Sequence, residues 1–365
     1  MNTPEARLIR VLVAEDSPTV RDLLLHILHR DPQIHVVGIA RDGQEAVELV
    51  QRVKPDVITM DVNMPRLNGF EATRRIMETQ PTPIVIVSGI WDPQEVETTF
   101  RAVEAGAQTA LPLPNGIGHA DFESRARELV QMVKLMSEVK VIRRWPQARS
   151  ATVPVAAPAV SVPHMSQDIR VVAIGASTGG PPVLQTILSK LPHAFPVPVL
   201  LVQHMAPGFV QGFVDWLAQS TPLTMQIAHH GDALVAGHVY VAPDGEHMSV
   251  ASNGRVALSQ EPPENGARPA VSALFRTVAK VFGPHAVGVL LTGMGKDGSR
   301  ELKVLRDCGA VTIAQDKESS VVHGMPGEAI KCDAAMYVLP PEGIPEVLKR
   351  LLHDRHATSA RIFRD

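Results

Sequence analysis

The chain of 365 residues is long enough to form two domains that each bury a core of their own. Its formal net charge of −3 and its 20% of charged residues give no sign of the basic surface that binds nucleic acid, so we expect no nucleic-acid partner. The chain has only two cysteines, no apolar signal segment at its start and no apolar run as long as a membrane span. We therefore expect a cytoplasmic protein that does not insert into a membrane.

One stretch without helical or strand periodicity divides the chain. Residues 145–168 are rich in Pro, Ala, Ser and Val, and such a segment cannot bury a face. The alternative is an irregular strand region inside one large domain, but structureless runs of about 20 residues are unusual there. We predict a first domain at 1–144, a linker at 145–168, a catalytic domain at 169–352 and a tail at 353–365.

The first domain alternates apolar strands with amphipathic helices. Its first strand is predicted at Leu8 to Ala14, and the next helix has Ser17 as its N-cap and Pro18 at its first position. The other predicted strands are 35–40, 57–60, 84–88 and 109–111, and the other predicted helices are near 44–52, 70–79, 93–105 and 123–141. This alternation predicts a doubly wound parallel α/β sheet, whose ligand site lies at the carboxyl ends of its strands.

Polar side chains follow several of these strands, at the point where each strand ends. They are Glu15, Asp16, Asp61 and Ser88. Each one alone could be a solvated loop residue. Converging carboxylates repel one another unless a hard cation lies between them, and Mg²⁺ suits such an oxygen site. Together the residues predict a Mg²⁺ site in which Asp61 is a nucleophile toward a phosphoryl donor.

Residues 8–130 resemble the flavodoxin-like receiver domains of two-component response regulators. The resemblance implies that Asp61 is the phospho-acceptor and that the hydroxyl of Ser88 contacts the phosphoryl group. The metal ligands that it implies are Glu15, Asp16, Asp61 and the backbone of Asn63. A chemotaxis-type histidine kinase is then the expected phosphodonor.

Two positions depart from the receiver pattern. Receivers carry a lysine before a proline after the fifth strand, and here Leu113 takes its place; the usual aromatic switch position is Ala110. No lysine lies between Lys54 and Lys134, so no obvious substitute exists. We expect a receiver that accepts a phosphoryl group but transmits its presence poorly, or relies on other contacts.

In the second domain, a predicted strand at 170–174 leads into a glycine-rich turn with the sequence GASTGGP at 175–181, and a helix follows. A serine on such a turn is open to an incoming carbonyl, and the helix N-terminus offers amide groups to a developing negative charge. An ordinary turn, a dinucleotide loop or the nucleophile turn of an α/β-hydrolase remain alternatives. Ser177 in place of the middle glycine, and no acid near position 200, disfavour the dinucleotide loop.

Two further strands end in groups that complete a hydrolytic set. The strand at 199–202 leads to His204, which could take the serine proton, and the strand at 287–291 leads to Asp297, which could orient the imidazole. Taken singly, His204 could be a surface histidine and Asp297 the N-cap of a helix that begins near Gly298. Three polar groups after three apolar strands predict a triad of Ser177, His204 and Asp297 in a doubly wound α/β domain.

The order of these three residues differs from that of α/β-hydrolases, in which the acid precedes the histidine. An esterase of that fold, acting on another substrate, would need Asp297 to pair with His323 or His353. His323 is not placed at a predicted strand end. This arrangement therefore ranks second.

Residues 168–352 resemble the catalytic domain of chemotaxis protein-glutamate methylesterases of the CheB type. The matching motifs are GASTGGP at 175–181, VQHM at 202–205, VAPDGEHM at 241–248, LTGMGKDG at 291–298, AQD at 314–316 and GMPG at 324–327. The resemblance implies hydrolysis of glutamate γ-methyl esters, and deamidation of glutamines, on the cytoplasmic domains of methyl-accepting chemoreceptors. We expect backbone amides around Thr178 and Met294 to stabilise the oxyanion, no cofactor for the esterase, and a monomer.

Two positions depart from this second family pattern. A serine is expected at 270 and an acidic residue at 272, whereas the chain has Ala270 and Ser272. A function of another class also stays open, that of a signalling adaptor with a degenerate receiver. The intact triad disfavours it, because a binding module has no need of such a set.

Overall fold

A computed structural model describes residues 7–89, 93–139, 141 and 168–359, with backbone alone at 93–98 and 353–359. The chain divides into two compact units, Met1–Ala151 and Thr152–Asp365, which we call unit 1 and unit 2. The predicted linker at 145–168 lies outside the described residues except for Asp168, and residues 360–365 of the predicted tail also lie outside them.

Unit 1 is built on a parallel sheet of five strands in the order β2-β1-β3-β4-β5. The strands are β1 Ile9–Ala14, β2 Ile34–Ala40, β3 Val57–Met60, β4 Ile84–Ser88 and β5 Thr109–Pro112. The helices are α1 Pro18–His29, α2 Gly43–Val53, α3 Gly69–Thr79, α4 Pro93–Glu104 and α5 Phe122–Ser137. The predicted doubly wound α/β class and the five predicted strands are confirmed.

The helix ends of unit 1 follow local chemistry. Ser17 caps α1 by accepting a hydrogen bond from the backbone N–H of Val20 at 3.5 Å, and Pro18 opens the helix, as predicted. Helix α5 ends at Ser137, before the predicted end at 141. The apolar residue that suggested a longer helix, Val141, instead packs against the core of unit 1 from beyond the helix end.

Unit 2 is built on a parallel sheet of seven strands in the order β14-β13-β12-β6-β7-β9-β8. The strands are β6 Val171–Ala176, β7 Val199–Gln203, β8 Thr224–Ile227, β9 His238–Val241, β12 Ala286–Leu290, β13 Val311–Gln315 and β14 Tyr337–Leu339, and an antiparallel hairpin joins β10 His247–Val250 to β11 Val256–Ser259. The helices are α6 Gly180–Leu188, α7 Val210–Ala218, α8 Val271–Phe282, α9 Ser299–Asp307, α10 Met325–Lys331 and α11 Ile344–Ser359. The α/β class of this domain is confirmed as well.

The three strands predicted in unit 2 from buried apolar runs lie side by side at the centre of its sheet. Strands β12, β6 and β7 are buried along their whole length, which is why they read as continuous apolar sequence. Helix α8 packs closely on β6, because a Cβ atom at Gly175 would lie 2.3 Å from the side chain of Val271. This close approach brings the N-terminus of α8 to the end of the central strands.

The segment between β7 and β12 contains elements that the sequence analysis did not predict, namely α7, β8 to β11 and α8. Among the described residues, no helix is both long enough and apolar enough to cross a bilayer. The predicted boundary of the catalytic domain at 352 falls inside α11, which continues to Ser359.

Tyr240, on β9, offers a test of how the connection between β8 and β9 is held in unit 2. Its buried hydroxyl donates to the carbonyl of Ala233 at 2.6 Å and accepts from the N–H of Val235 at 3.1 Å. Tyr240→Phe leaves both backbone groups without this partner, so we expect urea denaturation to show a loss of about 1–3 kcal/mol in the free energy of unfolding of unit 2.

Tyr337→Phe is the matched control, because the hydroxyl of Tyr337 forms no hydrogen bond within the described residues. We expect this second substitution to change the free energy of unfolding far less. An equal loss for both variants would contradict the assignment.

Candidate active site

The central strands of unit 2 bring the three predicted catalytic side chains to one edge of the sheet. Strand β6 pairs with β7 on one side and with β12 on the other, and all three are parallel. Ser177 follows β6, His204 follows β7, and Asp297 lies in the loop after β12. The chain moves outward from β6 through β7 and later returns on the opposite side at β12. The site therefore lies at the topological switch point, where α/β sheets bind ligands.

The structure joins His204 to Asp297 directly. The Nε2 atom of His204 lies 2.9 Å from a carboxylate oxygen of Asp297, and the two side chains are only 18% and 4% exposed. The second-ranked pairing of Asp297 with His323 is not formed, because the Nδ1 atom of His323 lies 3.3 Å from the hydroxyl of Ser320 instead. The side chain of His353 lies outside the described residues.

The carboxylate of Asp297 lies at the N-terminus of helix α8. It accepts hydrogen bonds from the backbone N–H groups of Val271 at 2.6 Å and Ser272 at 3.1 Å. The alternative that Asp297 caps its own helix is wrong, because the N-cap of α9 is Gly298. Since a helix N-terminus carries partial positive charge, this placement stabilises the ionised carboxylate.

Asp297 is ionised over the whole neutral range. Burial acts to raise its pKa, but hydrogen bonds from His204 and Ser272, together with the N–H of Val271, outweigh burial and hold the pKa at about 2. An ionised carboxylate accepts a hydrogen bond from an N–H of the imidazole and stabilises the imidazolium form.

Asn265 is a residue of this site that the sequence analysis missed. Its amide nitrogen lies 3.1 Å from the second carboxylate oxygen of Asp297 and 3.2 Å from the hydroxyl of Ser272. The backbone of Asn265 has a positive φ of 52°, a conformation that asparagine tolerates better than most residues. No periodic pattern marks this residue, since it lies in an irregular connection ahead of α8.

The two departures from the methylesterase pattern also lie at the start of α8. Ala270 is the N-cap and gives no side-chain cap. The hydroxyl of Ser272 donates to Glu301 at 2.7 Å and accepts from the N–H of Gly298 at 3.0 Å, so it links the beginnings of α8 and α9. The acidic residue expected at 272 is absent, and the carboxylate of Glu301 contacts the hydroxyl of Ser272.

The turn that carries Ser177 is fixed by its backbone. The N–H of Ser177 donates to the carbonyl of Thr292 at 3.0 Å, and its own carbonyl accepts from the N–H of Gly180 at 2.8 Å. Gly179 has φ 77°, which favours glycine, and a Cβ atom there would lie 2.5 Å from Val321. No hydrogen bond joins the Ser177 hydroxyl to His204 within the described residues, and such catalytic hydrogen bonds often tighten only in the substrate complex.

The two amides predicted to stabilise an oxyanion remain uncommitted. Within residues 168–359, the backbone N–H groups of Thr178 and Met294 donate to no other group. Gly293 packs against Ser177 so closely that a Cβ atom at 293 would lie 2.7 Å from the Cβ of the serine. The amide of Met294 is therefore next to the serine turn, and that of Thr178 is on it.

The acidic residues of unit 1 also converge at a switch point, since β1 lies between β2 and β3. Oxygen atoms of Glu15, Asp16 and Asp61 lie within 4.8 Å of one another. Burial, followed by repulsion from Asp61, raises the pKa of Glu15 to about 8. Three close carboxylates, of which one is held largely protonated at neutral pH by burial and by repulsion from Asp61, fit a hard divalent cation. The exposed Asn63 lies in the loop just after Asp61.

The remaining receiver residues lie around this cluster. Ser88 is buried at the end of β4, and its carbonyl accepts the N–H of Leu113 at 2.9 Å. Leu113 lines a cavity of about 730 Å³ beside α1. Arg21, a cation that the motif comparison did not predict, donates from its guanidinium to the carbonyls of Glu15 at 3.2 Å and Asp16 at 3.4 Å.

Comparison with known proteins gives matches over both units. The family models for the CheB methylesterase and the response regulator receiver domain match residues 172–348 and 11–117. Protein-glutamate methylesterase/protein-glutamine glutaminase 1 of Syntrophus aciditrophicus is 58% identical over 94% of this chain and 98% of its own. The protein-glutamate methylesterase/protein-glutamine glutaminase of Nitrosospira multiformis is 55% identical over 96% of this chain and 99% of its own. The crystal structure of the Thermotoga maritima CheB methylesterase catalytic domain is 40% identical, covers 50% of this chain and 99% of that chain, and has a TM-score of 0.49.

Glu15 makes the stability of unit 1 depend on pH and on divalent cations. Its pKa is raised from 4.5 to about 8, so the folded state holds this proton more tightly than the unfolded state. Without divalent cations, the contribution of Glu15 to stability is therefore full below pH 4.5 and is lost as the pH rises toward 8. Mg²⁺ should displace the proton, so we expect its stabilising effect in thermal unfolding to be larger at pH 8 than at pH 6.

Glu15→Gln should remove the pH dependence, because the amide carries no titrating proton. It should also remove most of the Mg²⁺ effect, because the amide carries no negative charge. Glu104→Gln, an exposed change on α4, is the control and should behave like the unmodified chain. If Glu15→Gln keeps the same response to pH and Mg²⁺, Glu15 is not the group responsible.

Proposed function

The chain belongs to the family of CheB methylesterases that carry a receiver domain, and from this premise we propose that unit 2 hydrolyses glutamate γ-methyl esters and deamidates glutamines on the cytoplasmic domains of methyl-accepting chemoreceptors. The observation that carries the proposal is the hydrogen-bonded pair of His204 and Asp297 beside the glycine-rich turn of Ser177. This is the arrangement that acyl transfer to a serine needs.

The hydrogen bond to Asp297 decides which nitrogen of His204 acts as the base. Because the ionised carboxylate accepts from Nε2, the neutral imidazole carries its proton there and has its lone pair on Nδ1. Nδ1 takes the proton of Ser177 while the serine oxygen attacks the ester carbonyl. The imidazolium then gives that proton to the departing methoxy group, and methanol leaves.

Deacylation repeats the same proton transfers with water. His204 takes a proton from a water molecule that attacks the acyl-enzyme, and it returns the proton to the oxygen of Ser177. The products are the free glutamate and the restored serine. With a glutamine substrate, the group that leaves in the first step is ammonia, and the second step is unchanged.

The uncommitted amides of Thr178 and Met294 suit the negative charge that develops on the carbonyl oxygen. Both lie beside Ser177, and neither has a competing acceptor within residues 168–359. Donors that are fixed before the reaction and excluded from other bonds are worth about 10²–10³-fold in kcat each. This part of the mechanism uses backbone groups alone, so side-chain substitution at 178 or 294 tests it only indirectly.

The receiver is proposed to regulate this activity through Asp61. A chemotaxis-type histidine kinase would be the phosphodonor, and Asp61 would hold the phosphoryl group with Ser88 as a hydroxyl contact. Mg²⁺ bound by Glu15, Asp16 and Asp61 would neutralise charge at this centre. Leu113 cannot supply the cation that receivers use after β5.

Methanol release from methylated chemoreceptor membranes is the direct test of the esterase. Ser177→Ala removes the nucleophile, so we expect the rate to fall on the order of 10⁴-fold or more. Ser189→Ala, an exposed serine just after α6, is the control and should keep full activity. Release that persists in Ser177→Ala would reject Ser177 as the nucleophile. No release from the unmodified chain would reject hydrolysis of these methyl esters, in favour of an adaptor or of another ester substrate.

Phosphorylation should reach Asp61 but raise the esterase rate only weakly, by no more than a few fold, because Leu113 offers no charge to the phosphoryl group. Methanol release is measured with Mg²⁺ and a small phosphodonor, with Asp61→Asn as the unphosphorylated control. Leu113→Lys should increase the response. Strong activation of the unmodified chain that depends on Asp61 would contradict weak coupling.

A further inference from the structure

Gln203 is a buried polar side chain between the serine turn and the histidine. It is the last residue of β7, and only 5% of it is exposed. Its amide nitrogen donates to the carbonyl of Ser177 at 2.9 Å and to the carbonyl of His204 at 2.7 Å. One side chain therefore ties together the backbones of the two residues that exchange a proton in the proposed mechanism.

The first of these bonds acts on the same carbonyl as the N–H of Gly180, which donates to it at 2.8 Å, and together the two bonds set the direction of the Thr178 amide. The carbonyl of Ser177 and the N–H of Thr178 belong to the same peptide plane, and in a trans peptide they point in opposite directions. Holding the carbonyl toward Gln203 therefore turns the N–H of Thr178 the other way. The next carbonyl, that of Thr178, is held by the hydroxyl of Thr292 at 2.9 Å, so the planes on both sides of Thr178 are fixed.

The amide of Gln203 has only one workable orientation. Both of its acceptor partners are carbonyls, so the nitrogen must face them, and the oxygen Oε1 is then buried without a hydrogen-bond donor within the described residues. A Cβ atom at Gly180 would lie 2.1 Å from Oε1, so a larger residue there would force the amide of Gln203 to move. Buried polar atoms without partners are rare in folded proteins and are retained where a site needs the geometry.

We propose that Gln203 is a positioning residue that fixes the oxyanion-stabilising N–H of Thr178 and holds the backbone of His204 beside the serine turn. The last glycine of the turn, Gly180, makes room for the amide oxygen. This role deepens the proposed hydrolase function and rests on it for the identity of the substrate, but the effect on the reactivity of Ser177 does not depend on which ester is hydrolysed.

The test replaces Gln203 by a side chain of the same shape that donates no hydrogen bond while it is ionised. Gln203→Glu keeps the shape but turns a carboxylate toward two carbonyls, and Gln219→Glu makes the same change at the exposed end of α7. The readouts, on the full chain, are the rate constant for labelling of Ser177 by a fluorophosphonate, and kcat and KM for methanol release. We expect Gln203→Glu to lower the labelling rate and kcat by about 10-fold or more, with KM within about twofold, and Gln219→Glu to change neither.

A merely structural role predicts a different pattern. Losses that follow the fraction of unfolded protein in circular dichroism, or a KM that rises as much as kcat falls, would overturn the proposal, as would labelling at the unmodified rate. If Gln203→Glu does not fold, Gln203→Met tests the same role, because methionine has a similar length and offers no donor to the two carbonyls. Normal labelling of the unmodified chain without methanol release would reject the proposed substrate and leave the test of Gln203 intact.

Discussion

The geometry of the active site of unit 2 depends on one buried carboxylate, both oxygens of which accept hydrogen bonds. Asp297 is 4% exposed and accepts from His204, from Asn265 and from two backbone amides at the start of α8. A buried charge without such partners would cost several kcal/mol. Satisfying it fixes the position of α8 relative to β12, the path of the connection before α8, and the plane of the imidazole. The arrangement of the catalytic residues thus follows from the hydrogen bonds that this one acid needs.

The strands that carry the triad could be predicted because a strand buried on both faces has a continuous run of apolar residues. Continuous apolar runs identified β6, β7 and β12, and parallel pairing then placed the residues after them at one edge. Asn265 could not be found this way, since its position follows from an irregular connection and a positive φ. The alternative that Asp297 caps α9 followed from sequence proximity, whereas the fold brings the N-terminus of α8 to the carboxylate.

In unit 1 too, the features that the sequence did not predict depend on how the chain folds. All five strands were found, and the acidic cluster followed from strand ends. The search for a cation, however, considered only lysines near the missing receiver position. Arg21 lies on α1, one helical turn beyond the acids, and reaches back to their carbonyls. The length and flexibility of an arginine side chain leave no pattern that a motif comparison would detect. The apolar wall that Leu113 adds to the cavity beside α1 was likewise visible only in the fold.

The two units resolve the same electrostatic problem in opposite ways. Burial acts to raise the pKa of both Glu15 and Asp297. The pKa of Glu15 is in fact raised to about 8, whereas that of Asp297 is held at about 2. The difference lies in their neighbours: Glu15 faces the carboxylate of Asp61, whereas Asp297 faces an imidazole and the N-terminus of α8. The acid of unit 2 is completed by the protein's own donors and is ready to orient His204. The acid of unit 1 stays largely protonated at neutral pH unless a positive charge binds beside it, which makes the receiver site responsive to what binds there.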